Sequence, residues 1–400
     1  MWAWYYTGYG LVVARQLISQ RAVAERKRPW SFRAIASRRA SARALVGRMR
    51  SRWTLRAAFL TLALASRVLA SREPRFVELS TRRAPSDVAF PARSRDALAS
   101  RAPSGYDEAE AERFVYLAGA AYCDAGLDTW RCLYCNGTRV SDVTVFTSDK
   151  TNVHGYVGWD DDRDRAVVAF RGTEPSSLEN WLENLDASHA TWEMGASGYR
   201  RAFRVHAGFL DSYASVRDDI FDALRNISAA RRVGRPSAPL PVALTGHSLG
   251  GALATLAAFE LDAEGFRRDG DGDGDVGTTA LVAGAWTFGS PRVGDDAFAA
   301  AYAEALRERT WRITHAHDVV PSVPVRLMGY HHVPTEIFYA EALAADGDGN
   351  GDAGRRRGDA PARVCDGTGE DPTCSDGEWT HTSVVDHLYY LDHYICGCNI

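Results

Sequence analysis

A chain of 400 residues with 46% hydrophobic and 10% aromatic side chains has ample material for a packed core, which excludes a collagen-like or wholly disordered protein. Its formal net charge of −4 conceals an asymmetry: residues 1–105 carry 21 Arg or Lys against 5 Asp or Glu, a balance of +16, while the remainder carries −20. The acidic body disfavours nucleic acid as a partner, because that binding depends on neutralising phosphates.

From Met1 to about Arg101 the chain is rich in Arg, Ser and Ala and shows no sustained periodicity. Within this leader, Arg50, Arg52 and Arg56 precede an apolar stretch, Ala57 to Ala65, and small-residue pairs follow at Ala63/Ala65 and Val68/Ala70. That is the layout of a secretory signal peptide over residues 49–70, with Met49 as an internal start. The stretch is shorter than the ~20 apolar residues that span a bilayer, and Arg67 interrupts its extension. No transmembrane span is expected. The same Arg/Ser richness also suits a plastid or other organelle transit peptide, but the cysteines favour secretion or the secretory lumen.

Beyond about residue 106, short apolar runs alternate with helical patterns. Arg165–Phe170, Pro241–Thr245, Leu281–Phe288 and Trp311–Thr314 read as buried strands, and amphipathic helices are expected near Leu210–Asn226, Gly250–Leu261 and Asp296–Leu306. Alternation of this kind implies one α/β domain over residues 106–400, a mainly parallel central sheet flanked by helices. Two Gly/Asp-rich segments, near 267–278 and 345–358, interrupt it. Asp269–Asp275 and Asp346–Asp352 match the front half of a calcium-binding loop, but position 12 would be Ala280 or Arg357 instead of Glu. They read as surface insertions, and no metal is expected.

The most informative stretch is Thr245-Gly-His-Ser-Leu-Gly-Gly-Ala252, between an apolar strand and an Ala/Leu-rich helix. A nucleophilic Ser at a strand end needs a very tight turn into the next helix, and Gly246 and Gly250 remove side chains that would collide there. The helix N-terminus would then aim N–H groups at a developing oxyanion. A Ser hydroxyl also needs a base and a carboxylate to orient that base, in the chain order Ser, Asp or Glu, His. Asp318 lies at the carboxyl end of a strand in His315-Ala-His-Asp-Val-Val-Pro321, and Asp386-His387 lies near the C-terminus. His315, His317, His331, His332, His381 and His393 also lie downstream, so spacing alone does not select the base.

Between Thr173 and His206, Leu178, Trp181, Leu182 and Leu185 recur at i, i+3, i+4, i+7, with Glu179, Asn180, Glu183 and Asn184 opposite. This is a short amphipathic helix. Seven cysteines are present: Cys123, Cys132, Cys135, Cys365, Cys374, Cys396 and Cys398. Cys132-Leu-Tyr-Cys135 has the spacing of a redox or zinc pair, but no second CxxC or His at ligand spacing accompanies it. Asn136-Gly-Thr138 and Asn226-Ile-Ser228 have the form of N-glycosylation acceptors.

The body resembles the fungal-type class 3 lipases, the secreted triacylglycerol lipases of filamentous fungi. The likeness runs over about 280 residues, from Ala120 to Cys398, in ordered blocks: Val168-Ala-Phe-Arg-Gly-Thr173, Asn180-Trp-Leu182, Val205-His-Ala-Gly-Phe-Leu-Asp211, Gly246-His-Ser-Leu-Gly-Gly251, Gly289-Ser-Pro-Arg-Val-Gly-Asp295, His317-Asp-Val-Val-Pro321 and Asp386-His-Leu388. The resemblance implies an α/β-hydrolase fold with Ser248 as nucleophile, His387 as acid/base and Asp318 as the carboxylate orienting it. It implies backbone N–H groups of Thr173 and Leu249 as the oxyanion hole, and the helix of Leu178, Trp181, Leu182 and Leu185 as a lid. It implies disulfides Cys123–Cys398, Cys132–Cys135 and Cys365–Cys374, with Cys396 left over, able to replace Cys398, stay free or link to another chain. His206 and His332 fall in family blocks and read as packing or hydrogen-bonding residues. The expected substrate is a glycerolipid ester at an oil or membrane interface, attacked without metal or organic cofactor by a monomer. A phospholipase A1 or galactolipase, or a non-catalytic lipase-like binding protein, are the alternatives.

Overall fold

The computed structural model describes residues 105–194, 201–232, 238–266, 279–340, 362–377 and 383–399. The leader up to residue 104, with its signal-peptide stretch at 49–70, and both Gly/Asp-rich insertions lie outside the described residues. The described residues belong to one compact unit.

Helix α1 (Glu108–Ala120) comes first, capped by the Asp107 carboxylate, which accepts the N–H groups of Ala109 and Glu110. Strands β1 (Val140–Ser148), β2 (Val153–Asp160) and β3 (Arg165–Phe170) form an antiparallel meander. Helix α2 (Pro175–Asn184) follows, then the paired strands β4 (His189–Met194) and β5 (Arg201–His206). Helices α3 (Ala207–Ala214) and α4 (Arg217–Arg231) lead to β6 (Leu240–His247) and α5 (Leu249–Glu264). Next come β7 (Ala280–Phe288), α6 (Asp296–Leu306), β8 (Thr310–His315), β9 (Glu336–Tyr339) and β10 (Arg363–Val364). A short helix α7 (Val384–Leu388) and the paired strands β11 (Tyr389–Tyr390) and β12 (His393–Tyr394) complete the order.

Eight strands join in the order β1-β2-β3-β6-β7-β8-β9-β10. Pairing is parallel from β3 through β9 and antiparallel at both margins. The four strands read from the sequence occupy the parallel centre, where both faces are covered and even polar side chains such as Thr245, Thr287, Arg312 and Thr314 are buried. Alternate residues enter opposite cores. Val168, Phe170, Val242 and Leu244 join Phe209, Ile220, Leu253 and Phe298 on one side, while Val167, Ala169, Ala243 and Trp286 join Phe114 and Leu117 of α1 on the other.

The single helix expected near Leu210–Asn226 is two helices, α3 and α4. The chain breaks because Ser215 Oγ donates to Ser212 O at 2.7 Å, competing for the helical ladder, while Val216 turns inward to only 1% exposure. Cysteines pair as Cys123–Cys398, Cys132–Cys135 and Cys365–Cys374, so the CxxC pair closes on itself. Cys396 is a buried free thiol. No helix among the described residues is long and apolar enough to cross a membrane.

Candidate active site

Ser248 sits between β6 and α5 with φ 58° and ψ −128°, a positive φ that side chains other than glycine adopt only under constraint. Its neighbours supply the constraint. A Cβ at Gly246 would collide with Gly250 O, and one at Gly250 with Phe170 O. The backbone holds the turn through Ser248 N donating to Phe288 O at 2.8 Å and Gly251 N to Ser248 O at 2.9 Å. A tight strand-to-helix turn therefore needs glycines on both sides of the serine, the spacing seen in the sequence.

Asp318 follows β8, and its carboxylate is buried. Oδ1 accepts Val320 N–H at 2.8 Å. Oδ2 accepts the Tyr390 hydroxyl, and His387 Nδ1 lies 2.9 Å from Oδ2 and 3.0 Å from Oδ1. A carboxylate can only accept, so Nδ1 carries the proton and Nε2 is left as the acceptor of the imidazole. The segment bearing His387 is sewn to the Asp318 loop by the backbone: Ser383 N donates to His317 O at 3.1 Å, and Asp386 Oδ2 accepts His317 N–H at 3.1 Å. Gly289 lies against this group with φ 56°. A side chain there would press on Tyr390 Oη at 2.6 Å, Asp318 Oδ2 at 2.7 Å and His387 Cε1 at 2.9 Å.

The His387 ring lies 4.4 Å from that of His247, the residue before Ser248, and His247 Nε2 is 2.7 Å from His387 O. The carbonyl requires the proton on Nε2, so His247 Nδ1 accepts from the Tyr122 hydroxyl at 2.7 Å. Burial and the neighbouring His387 hold His247 well below the usual histidine range, which keeps it neutral. Ser248 Oγ and His387 Nε2 are each buried without a hydrogen-bond partner. In this conformation the two do not hydrogen-bond to each other.

Thr173 follows Gly172, where an added Cβ would stand 2.9 Å from Ser248 Cβ. Leu249 begins α5, and its N–H belongs to the first turn, which has no intrahelical acceptor. Leu178 of α2 and Leu185, just beyond its last residue, are buried, Trp181 and Leu182 pack against the core, and Glu179, Asn180, Glu183 and Asn184 are exposed. His206 caps α3 by accepting Phe209 N–H at 3.3 Å, and His332 Nε2 donates to Pro321 O at 2.7 Å.

Sequence reading missed Tyr390 and the Tyr122–His247 pair. A buried carboxylate needs more donors than one imidazole, so a hydroxyl near His387 in the chain was the signal for Tyr390. No local pattern marks Tyr122, which reaches His247 across 125 positions.

A mostly parallel sheet with a serine at a strand-to-helix elbow and a His–Asp pair beside it defines an α/β-hydrolase. Residues 167–328 match the family described as lipase (class 3). The secreted mono- and diacylglycerol lipase A of Penicillium cyclopium is 32% identical over 252 residues, which cover 60% of this chain and 73% of that protein. The secreted mono- and diacylglycerol lipase 1 of Fusarium solani is 30% identical over 233 residues, covering 56% of this chain and 61% of its relative. Among solved structures, the Rhizomucor miehei triacylglyceride lipase superposes with a TM-score of 0.56 at 25% identity, over 75% of this chain and 98% of that one. The chain belongs to the class 3 lipase family.

Proposed function

We propose that the protein is a serine esterase that hydrolyses carboxylic esters of glycerolipids, foremost triacylglycerols. The observation that carries this is the constrained Ser248 elbow with the His387–Asp318 pair beside it. His387 Nε2 takes the Ser248 proton as Oγ attacks the ester carbonyl, and Asp318 holds the ring in the required tautomer. The oxyanion is received by the N–H groups of Thr173 and Leu249, each such donor being worth about 2.7–4 kcal/mol in the transition state. His387 then protonates the leaving glycerol oxygen, and water releases the fatty acid by the reverse sequence.

Helix α2 acts as a lid: its apolar side faces the protein here and turns into lipid at an interface. Residues 1–105 are a leader removed from a secreted, monomeric enzyme, a destination supported by the secreted relatives and the three disulfides. Both named relatives are mono- and diacylglycerol lipases, which favours partial glycerides as a second substrate class.

The test is hydrolysis by the purified mature chain and by Ser248→Ala of emulsified triolein, diolein, phosphatidylcholine vesicles and galactolipid vesicles. Wild type should release fatty acid from the acylglycerols, and Ser248→Ala should lose on the order of 10³-fold or more while remaining folded. Retained activity in Ser248→Ala would remove that residue from the mechanism. Preference for the vesicles would reassign the substrate to membrane lipids.

A further inference from the structure

Asp318 is oriented by the segment that follows it, and a buried charge cluster holds that segment. Arg292, in the loop after β7, is 3% exposed. Its Nη1 donates to Ser322 O at 2.8 Å and to Pro321 O and Pro324 O at 3.3 Å each, and its backbone N donates to Val323 O at 2.9 Å. Four consecutive carbonyls of the Asp318 loop thus point at one residue. The other end of that segment, Val320 N–H, donates to the Asp318 carboxylate itself.

The remaining edge of the guanidinium is neutralised from far along the chain. Glu370 accepts it in a bidentate pair, Nε at 2.8 Å and Nη2 at 2.7 Å, and Asp376 Oδ1 accepts Nη2 at 3.0 Å. Glu370 also accepts His332 N–H at 2.9 Å, while the His332 ring holds Pro321 O. Glu370 lies inside the Cys365–Cys374 loop, and Asp376, just beyond it, also pairs with Arg326 at 3.1 Å. Burial alone would raise the Glu370 carboxyl, but the Arg292 hydrogen bonds and the surrounding positive charge hold it well below the usual carboxylate range. It therefore stays charged. A charge-assisted bidentate pair fixes direction as well as distance.

We propose that Arg292 and Glu370 are positioning residues for the ester hydrolysis: together they hold the Val320–Pro324 segment so that Asp318 can orient His387. The inference rests on the Ser248–His387–Asp318 reading above. Both side chains are buried, and the disulfide-closed loop serves as the brace that delivers Glu370.

The experiment measures kcat and KM for a soluble short-chain p-nitrophenyl ester in wild type, Arg292→Lys, Glu370→Gln and Glu370→Asp, with melting temperatures. Glu260→Gln is the control, since Glu260 is another buried carboxylate, bound to Tyr213 and Arg217 and away from the Asp318 loop. Arg292→Lys and Glu370→Gln should lower kcat about 10- to 100-fold, the scale of a misplaced catalytic group, with KM within about twofold. Glu260→Gln should lower the melting temperature while keeping kcat. Glu370→Asp keeps the charge but shortens the reach, and should fall between wild type and Glu370→Gln, even if Arg292→Lys fails to fold. Wild-type kcat in every folded Arg292 and Glu370 variant, beside an inactive Ser248→Ala, would overturn this inference alone. A wild-type chain no more active than Ser248→Ala would instead remove the hydrolase reading and this inference with it.

Discussion

Ser248 and His387 show how much of a site resides in single-residue conformation: one needs a positive φ, the other a tautomer fixed by Asp318. Other buried histidines carry a different cost. Burial pushes His206 down to about 4, against an opposing pull from Asp186, while an unfolded histidine takes its proton near pH ~6.5. Between those values the unfolded chain binds more protons, so stability present above pH ~6.5 is lost as the pH falls towards 4. His206→Asn keeps an acceptor for Phe209 N–H but cannot charge. Its melting temperature should therefore fall less steeply than wild type between pH 7 and 4, and parallel curves would show that His206 plays no part in the acid response. The GxSxG spacing made Ser248 legible in advance, because the glycines and the serine are local in sequence. Tyr390 and Arg292 were not, because their partners lie 72 and 78 positions away.

At the scale of an element, α2 repeats its sequence pattern in space, with Leu178 and Leu185 buried and the Glu/Asn side exposed. Each large apolar side chain moved from water is worth about 1.5–3 kcal/mol, so turning this face outward is favourable only where lipid receives it. Hydrolysis of a sparingly soluble ester should jump as its concentration passes the solubility limit, and Trp181→Ala with Leu182→Ala should shrink that jump. A smooth hyperbolic rise through the limit in the unaltered chain would rule out the lid. The central strands β3, β6, β7 and β8 were readable as short, largely apolar runs. β1, with polar residues interleaved in Val140–Ser148, and the four-residue β9 were not, since a sheet margin is defined by its neighbour more than by its own composition.

For the whole molecule, the Cys123–Cys398 link closes a 275-residue separation, a cross-link worth up to about 5 kcal/mol in the chain-entropy model. Cys398→Ser should lower the melting temperature markedly, and thiol counting will show whether Cys396 takes over the bond to Cys123. A single added free thiol from Cys123, with the melting temperature unchanged, would mean that the link contributes nothing to stability. By itself the sequence determined the strand-to-helix elbow at Ser248, the parallel strands and the amphipathic helix, because each depends on residues within one turn or one strand of each other. Only the tertiary structure decided that Tyr390 supports Asp318, that His247 ties the elbow to His387, and that Arg292 meets Glu370. Those partners are joined by the order in which strands enter the sheet, and no local periodicity encodes which distant loops a sheet brings to the same end.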